Sequence, residues 1–254
     1  MIDKYKLYNG DCLEVMKDIP DKSIDMILCD LPYGVTSRNK WDSVIPFDKL
    51  WEQYNRVIKD NGAIVLFAQG MFMSDLMQSN KKMWKYNLVW DKVLPSGFLN
   101  AKRQPMRSHE DICVFYKKQP TYNPQMWEGK ECHSRGKAIG KIQEEFSRNT
   151  NYGKLKAVET NGNLKYPKSI LSFQKPHPSI SVHPTQKSVE CCEWLIRTYT
   201  NEGETILDNC MGSGTIGVAT INVGEGRKFI GIELDENYFN IAKNRIEESL
   251  INIF

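Results

Sequence analysis

Short apolar runs that end in acidic or glycine-containing turns alternate along this chain with segments of helical spacing, and that alternation admits few folds. Residues 24–29 form a near-continuous apolar run, and 63–67, 86–90, 112–116, 205–208 and 229–233 read as further strands. A short edge strand is expected at 5–8 and a helical turn at 11–16. Segment 47–58 places Phe47, Leu50, Trp51, Tyr54, Val57 and Ile58 at a helical period, with Asp60-Asn61-Gly62 as its stop signal. Helices are also expected at 71–81, 188–199, 215–222 and 235–250, the last capped by Asp235. Strands uniformly apolar on both faces, separated by helices, predict an α/β fold. Its core is a doubly wound, mostly parallel sheet with an antiparallel edge. In such sheets ligands bind beyond the carboxyl ends of the strands.

The pattern stops between 117 and 183, which is too long for an ordinary loop and reads as an insertion or small subdomain. Between Lys117 and Lys187 there are 13 Lys/Arg against 5 Asp/Glu, while the whole chain of 254 residues carries only +3. The remainder is therefore mildly acidic. A basic segment on an acidic body fits a polyanion partner, and equally a solvated lysine-rich insertion. The seven cysteines are scattered, and the one close pair, Cys191-Cys192, lacks metal-ligand spacing, so no metal site is expected. Free thiols fit a reducing compartment. No apolar run approaches the roughly 18 residues of a membrane span, and the first residues lack a signal-peptide core. A cytoplasmic protein with no membrane partner is the expectation.

Two turns carry chemistry. After the strand at 24–29 comes Asp30-Leu31-Pro32-Tyr33-Gly34: an acid, a rigid turn and an aromatic ring brought to one point. That set can hold a flat, amine-bearing ring, the acid accepting from the amine and Tyr33 stacking on its face. Pro32 also restricts Leu31 to extended geometry. Near the other end, Gly212-Ser213-Gly214-Thr215-Ile216-Gly217 is G-x-G-x-x-G between a strand and a helix, with Glu233 about 20 residues on to bind ribose hydroxyls. Alone this supports a dinucleotide oxidoreductase. Against that, one strand and one helix follow, Asp208 precedes the first glycine, and Asp30-Leu31-Pro32-Tyr33 would be unexplained. With Glu233 at the right place, a nucleoside-bearing cofactor is favoured over a purely structural strand–helix turn.

In this order, the two turns resemble the DNA amino-methyltransferases of D-P-P-Y type, in the permuted arrangement called class β, which modify adenine N6 or cytosine N4. Ile206 to Thr215 resembles the family's L-D-P-F-x-G-S-G-T, with Asn209, Cys210 and Met211 departing. His183-Pro184-Thr185-Gln186-Lys187 resembles H-P-x-x-K-P, with Ser188 in place of the second proline. Asn9-Gly10-Asp11-Cys12 resembles the segment against the cofactor's adenine, and Arg107-Ser108-His109-Glu110 a block near the target pocket. Leu31 stands where the family usually has proline.

The resemblance implies a circularly permuted, seven-stranded Rossmann-like methyltransferase sheet. Residues 1–116 form the catalytic half, 117–183 the target-recognition insertion and 184–254 the cofactor half. It implies S-adenosylmethionine as cofactor, held by Asp11, Cys12, Asp30, Lys187, Asp208, Gly212, Ser213, Gly214, Thr215 and Glu233. Asp30, Leu31, Pro32 and Tyr33 form the catalytic set. Asp30 and the Leu31 carbonyl would accept the amine's two N–H bonds, with no covalent enzyme intermediate. Asp in front of x-P-Y favours adenine N6 over cytosine N4.

The implied partner is double-stranded DNA with the target base flipped out. Tyr122, Trp127, Tyr152 and Tyr166 of the basic region are candidates for stacking on it, or for a subdomain core. A homodimer and a cognate restriction endonuclease on a separate chain are compatible with the family. Competing readings are methylation of RNA or a protein amide by the related Asn-Pro-Pro-Tyr set, and a non-catalytic DNA-binding module that keeps the fold.

Overall fold

The computed structural model describes residues 4–34, 43–130, 163–177, 179 and 186–251. They form two compact units, Met1–Asn123 with Ser169–Phe254, and Pro124–Lys168. The second unit is narrower than the expected insertion. Its described residues pair β6 (Trp127–Glu128) with β7 (Leu164–Lys165) in an antiparallel ladder.

The larger unit is built on one sheet. Its strands are β1 (Tyr5–Asn9), β2 (Ile24–Asp30), β3 (Ile58–Ala68), β4 (Trp84–Ser96), β5 (Arg107–Phe115), β8 (Ile170–Ser172), β9 (Thr205–Asp208) and β10 (Lys228–Glu233). Their order is β1-β10-β9-β2-β3-β5-β4-β8. All pairings are parallel except those of β5, which runs antiparallel between β3 and β4. The antiparallel strand is thus internal, where the sequence suggested an edge. Among the described residues the sheet has eight strands, one more than the seven expected. The extra one, β8, is three residues from the region expected to be insertion, and it lies along β4.

The apolar run of β2 is explained by its two faces. Met26 and Leu28 pack into one core, with Leu195 and Ile196 of α4 (Val189–Tyr199), Ala219 of α5 (Thr215–Val223) and Ile246 of α6 (Glu236–Ile251). Ile27 and Cys29 pack into the other, with Met16, which follows α1 (Cys12–Val15), Tyr54 of α2 (Phe47–Val57) and Leu76 of α3 (Gly70–Ser79). Helices cover both faces, so neither face of the strand can be polar.

Asp60-Asn61-Gly62 does not end a helix in a loop. The helix stops at Val57, and these residues lie inside β3. Register passes from Ile24↔Ile58 to Met26↔Ala63, so β3 bulges outward there. Gly62 is required because a Cβ would lie 2.7 Å from Ile58 and 2.8 Å from the Asp25 carbonyl. The expected cap of the last helix is present, Asp235 Oδ1 accepting from the Asn237 and Tyr238 amides at 2.9 and 3.1 Å.

The functional consequence lies at β2 and β9, which are neighbours. From β9 the chain passes through α5 to β10 on one side. From β2 it passes through α2 to β3 on the other. The connections diverge at the carboxyl ends and leave a crevice between Asp30 and Asp208.

Candidate active site

A cavity of about 550 Å³ opens at this switch point. The turn after β2 contributes Asp30, Leu31, Pro32 and Tyr33. The turn after β1 contributes Gly10, Asp11 and Cys12, and the loop after β9 contributes Asp208, Gly212, Ser213 and Thr215. Glu233 and Lys187 complete the set. Segments some 180 residues apart in sequence therefore share one wall. Of the described residues in the expected catalytic and cofactor sets, all but Gly214 line the cavity. His183, Pro184, Thr185 and Tyr152 lie outside the described residues.

At the turn after β2, Asp30 is held at both oxygens. Tyr33 donates its hydroxyl to Oδ1 at 2.7 Å, and Lys187 Nζ lies 2.7 Å from Oδ2. Burial pushes the Asp30 carboxyl up from its ordinary value, and the Lys187 ammonium opposes that rise. Lys187 also lies 3.0 Å from Glu110 Oε2. Glu110 Oε1 meets Lys92 Nζ at 3.2 Å. Burial alone would raise Glu110, but two ammonium groups outweigh it and hold the carboxyl low. Burial likewise works against the charge of Lys187, yet Asp30 and Glu110 outweigh it and hold the ammonium high. Two acids and two bases alternate in one buried row, so removing any member leaves a neighbour uncompensated.

Tyr33 is fixed in plane by Phe72, with ring centroids 4.7 Å apart and planes at 26°. The Leu31 side chain is 3 % exposed and belongs to the core cluster of Cys29 and Phe72. Ser188, the departure from the family's second proline, is the N-cap of α4 and accepts from the Cys191 amide.

The glycine loop after β9 is built differently. Gly212 and Gly214 adopt φ of +51° and +76°. A Cβ at Gly212 would meet open space, whereas one at Gly214 would lie 2.9 Å from Ala242 of α6. The first glycine thus opens the cavity wall, and the second lets α6 approach the loop. Arg245 from α6 donates to the Ser213 carbonyl and, at 3.1 Å, to its hydroxyl. Glu233 accepts from the Gly212 amide at 2.8 Å and the Asp235 amide at 2.9 Å, one on each oxygen. Each oxygen keeps a second lone pair for a ligand hydroxyl. Asp11 caps α1 through the Leu13 amide at 2.8 Å. Asp208 accepts from the Cys210 amide at 3.1 Å, and burial pushes its carboxyl up to about 8. Asn209, a departure from the family's proline, accepts from the Tyr54 hydroxyl at 2.5 Å in the core.

Sequence reasoning missed Lys92 and Phe72 and gave Glu110 no role. A signal was present: Lys92 and Glu110 border apolar strands, and charges there need partners if the ends are buried. Among the aromatics of the basic region, Tyr122 lies 6.4 Å from Tyr199 in the larger unit. Trp127 donates to the Tyr166 carbonyl at 3.1 Å and faces Lys168 at 5.0 Å in the smaller one. Among the described residues no helix is long and apolar enough to cross a membrane, no cluster of His, Cys, Asp or Glu fits a metal ion, and six cysteines are free.

A family model described as DNA methylase matches residues 24–244. The chain is 26% identical to the type II methyltransferase M.BglII of Bacillus subtilis, the match covering 93% of this chain and 67% of that protein. It is 27% identical to the DNA adenine methyltransferase YhdJ of Escherichia coli, covering 95% and 82%. The solved complex of M1.HpyAVI with SAM superimposes with a TM-score of 0.65 at 25% identity, covering 95% of this chain and 98% of that one. The PvuII DNA methyltransferase, described as cytosine-N4-specific, gives 0.68 at 16% identity, covering 98% and 91%; at that identity the likeness speaks for the fold alone.

Proposed function

The chain belongs to the DNA methylase family whose model spans most of its length, and from that premise we propose that it methylates the exocyclic N6 amine of adenine in double-stranded DNA. The observation that carries this reading is Asp30, held between the Tyr33 hydroxyl and Lys187 at the mouth shared with the glycine loop. The amine of adenine is a weak nucleophile because its lone pair is delocalised into the ring. An ionised acceptor at Asp30 and the Leu31 carbonyl favour a pyramidal nitrogen and stabilise the positive charge that develops on it. Lys187 keeps the buried Asp30 ionised for that task. Tyr33, its plane set by Phe72, is the stacking surface for the base.

The methyl donor is S-adenosylmethionine, and the residues fit it. The cavity is of the size that holds a nucleoside cofactor, and Gly212 leaves open space on its wall where a side chain would intrude. When bound, it supplies an electrophilic methyl group. Asp11 and Cys12 would flank its adenine, Glu233 its ribose hydroxyls, and Lys187 and Asp30 its methionine end. Asp208, Ser213 and Thr215 shape the loop beneath it. The Pro124–Lys168 unit, with Trp127 and Tyr166 exposed, supplies target recognition.

Two points favour adenine: the acid at position 30, and a relative that is itself a DNA adenine methyltransferase. The second reading is cytosine N4, because the same pair of acceptors serves either amine. Labelled methyl groups from S-adenosylmethionine should enter unmethylated DNA and appear, after digestion to nucleosides, as N6-methyladenine. Asp30→Ala should lower the rate by about 10³-fold. N4-methylcytosine in the digest would establish the second reading. Transfer to RNA or protein with none to DNA would end both.

A further inference from the structure

β4 runs in the same direction as β2 and β3, because β5 is antiparallel to both of its neighbours. The β4–β5 connection therefore leaves the sheet at the carboxyl edge, the edge of Asp30 and Asp208. There the register passes from Asp91↔His109 to Ser96↔Arg107, so β4 bulges. Beyond the bulge Gly97, at φ +91°, turns the chain into a short 3₁₀ turn, Phe98–Asn100. At that tip Phe98 is 79 % and Leu99 97 % exposed, and Met106 on the returning limb is exposed as well. From Lys92 to His109 there are four Lys/Arg and no Asp/Glu. Lys102, Arg103 and Arg107 are exposed.

The base of this arm is tied to the active site. Lys92 Nζ reaches both Glu110, at 3.2 Å, and Ser96 Oγ, at 3.4 Å. Arg107 donates to Gln69 Oε1 at 2.8 Å, and both of these side chains line the cavity. An apolar tip on an acid-free, cationic stalk is matched to a partner with negative edges and an apolar interior. Duplex DNA has that section: phosphates outside, stacked bases within.

We propose that the 92–107 arm enters the duplex when the target base leaves it, Phe98 and Leu99 filling the vacated space while Lys102 and Arg103 hold the flanking phosphates. This rests on the DNA methylation reading above. A base that leaves the stack forfeits stacking and pairing, and an apolar side chain inserted between base steps restores part of that contact. The rigid tie from the arm to Glu110 and Gln69 fixes where the wedge stands relative to Asp30.

The test uses the full chain and a duplex carrying its own methylation site. Phe98→Ala with Leu99→Ala should slow methylation of the matched duplex by about 30-fold and leave cofactor affinity unchanged. Opposite an abasic site the target base is already unpaired, and the same variant should come within about threefold of wild type. Lys102→Gln with Arg103→Gln should instead lower the slope of log affinity against log salt by about 2. The arm proposal is overturned if the double alanine variant methylates the matched duplex at the wild-type rate. It is overturned equally if the loss is the same on both substrates, or if the variant changes only the oligomeric state, which would make the tip a contact between copies. Failure of the wild type to methylate any DNA would instead overturn the reading on which the arm rests.

Discussion

Asp30 and Asp208 end neighbouring parallel strands and line one cavity, but Asp30 is half-buried and ion-paired, whereas Asp208 is fully buried. Asp30 has a cation at 2.7 Å and a phenol at 2.7 Å. Asp208 has no ion pair among the described residues; it accepts from the Cys210 amide, and its carboxyl is pushed up to about 8 by burial. The first is kept usable as a charge. The second is pushed by burial toward its neutral form, as a hydrogen-bonding node under a loop whose shape comes from glycines and backbone amides. The same side chain at equivalent strand ends thus meets different surroundings, and the difference comes entirely from what the neighbouring elements place beside it.

Lys187→Met is the most forceful way to break this comparison, because it turns Asp30 into a second Asp208. Two carboxylates, Asp30 and Glu110, lose their shared cation in a buried row. We expect a loss of about 4 kcal/mol in stability, the scale for an uncompensated buried charge, and a fall of ~10²-fold or more in methylation rate. The pH dependence has a definite sign. Asp30 must be ionised to accept the amine, and its folded pKa already lies above the unfolded one, so its burial costs stability as pH rises. Removing the cation raises that pKa further. The acid limb of the rate profile should move to higher pH, and urea midpoints should suffer more at pH about 8 than at pH about 5. An unmoved acid limb would show that Lys187 does not tune Asp30.

Much of this was legible beforehand, and the parts that were not share a cause. β2 and β9 announced themselves because strands covered on both faces must be apolar throughout, and the turns at their ends stood out against them. The glycine loop could be placed from Asp208, Gly212 and Glu233 alone. The buried row of charges could not, because Lys92 and Glu110 meet through the β4–β5 pairing and Lys187 arrives from the segment before α4. Only the three-dimensional register makes them neighbours. Asp60-Asn61-Gly62 misled because a glycine after a helix and a glycine in a bulge look alike locally. What separates them is the Asp25 carbonyl at 2.8 Å, contributed by another strand. Phe98 and Leu99 passed unnoticed since two apolar residues in sequence do not say whether anything covers them.

Gly214→Ala sharpens the comparison from the other side, by testing whether the Asp208 loop is as sensitive to backbone change as Asp30 is to side-chain change. A left-handed φ of +76° costs an alanine about 1–2 kcal/mol. The new Cβ would also stand 2.9 Å from Ala242, in the overpacking range of about 1–3 kcal/mol. Together we expect a loss of ~3 kcal/mol by denaturant unfolding, with weaker cofactor binding as α6 is pushed off the loop. A variant of wild-type stability would mean the loop tolerates a different turn.

The mildest effect is expected from Asp208→Asn, and its mildness is the point. In the folded protein burial pushes Asp208 toward its neutral form, so asparagine replaces a group of nearly the same charge and shape. Its folded pKa, about 8, lies above the ordinary 3.8. The stability it contributes is therefore fully present below about pH 4 and is lost as pH rises towards about 8. Asparagine does not titrate, so that decline should flatten. At pH about 5 the variant should match wild type within ~1 kcal/mol, and at pH about 8.5 it should be the more stable by ~2 kcal/mol. The full ~1.4 kcal/mol per pKa unit is reduced as water reaches the forming carboxylate. Urea midpoints at the two pH values decide it. If wild type and variant keep a constant gap, Asp208 is already ionised when folded, and the contrast with Asp30 collapses into two carboxylates that differ only in their neighbours.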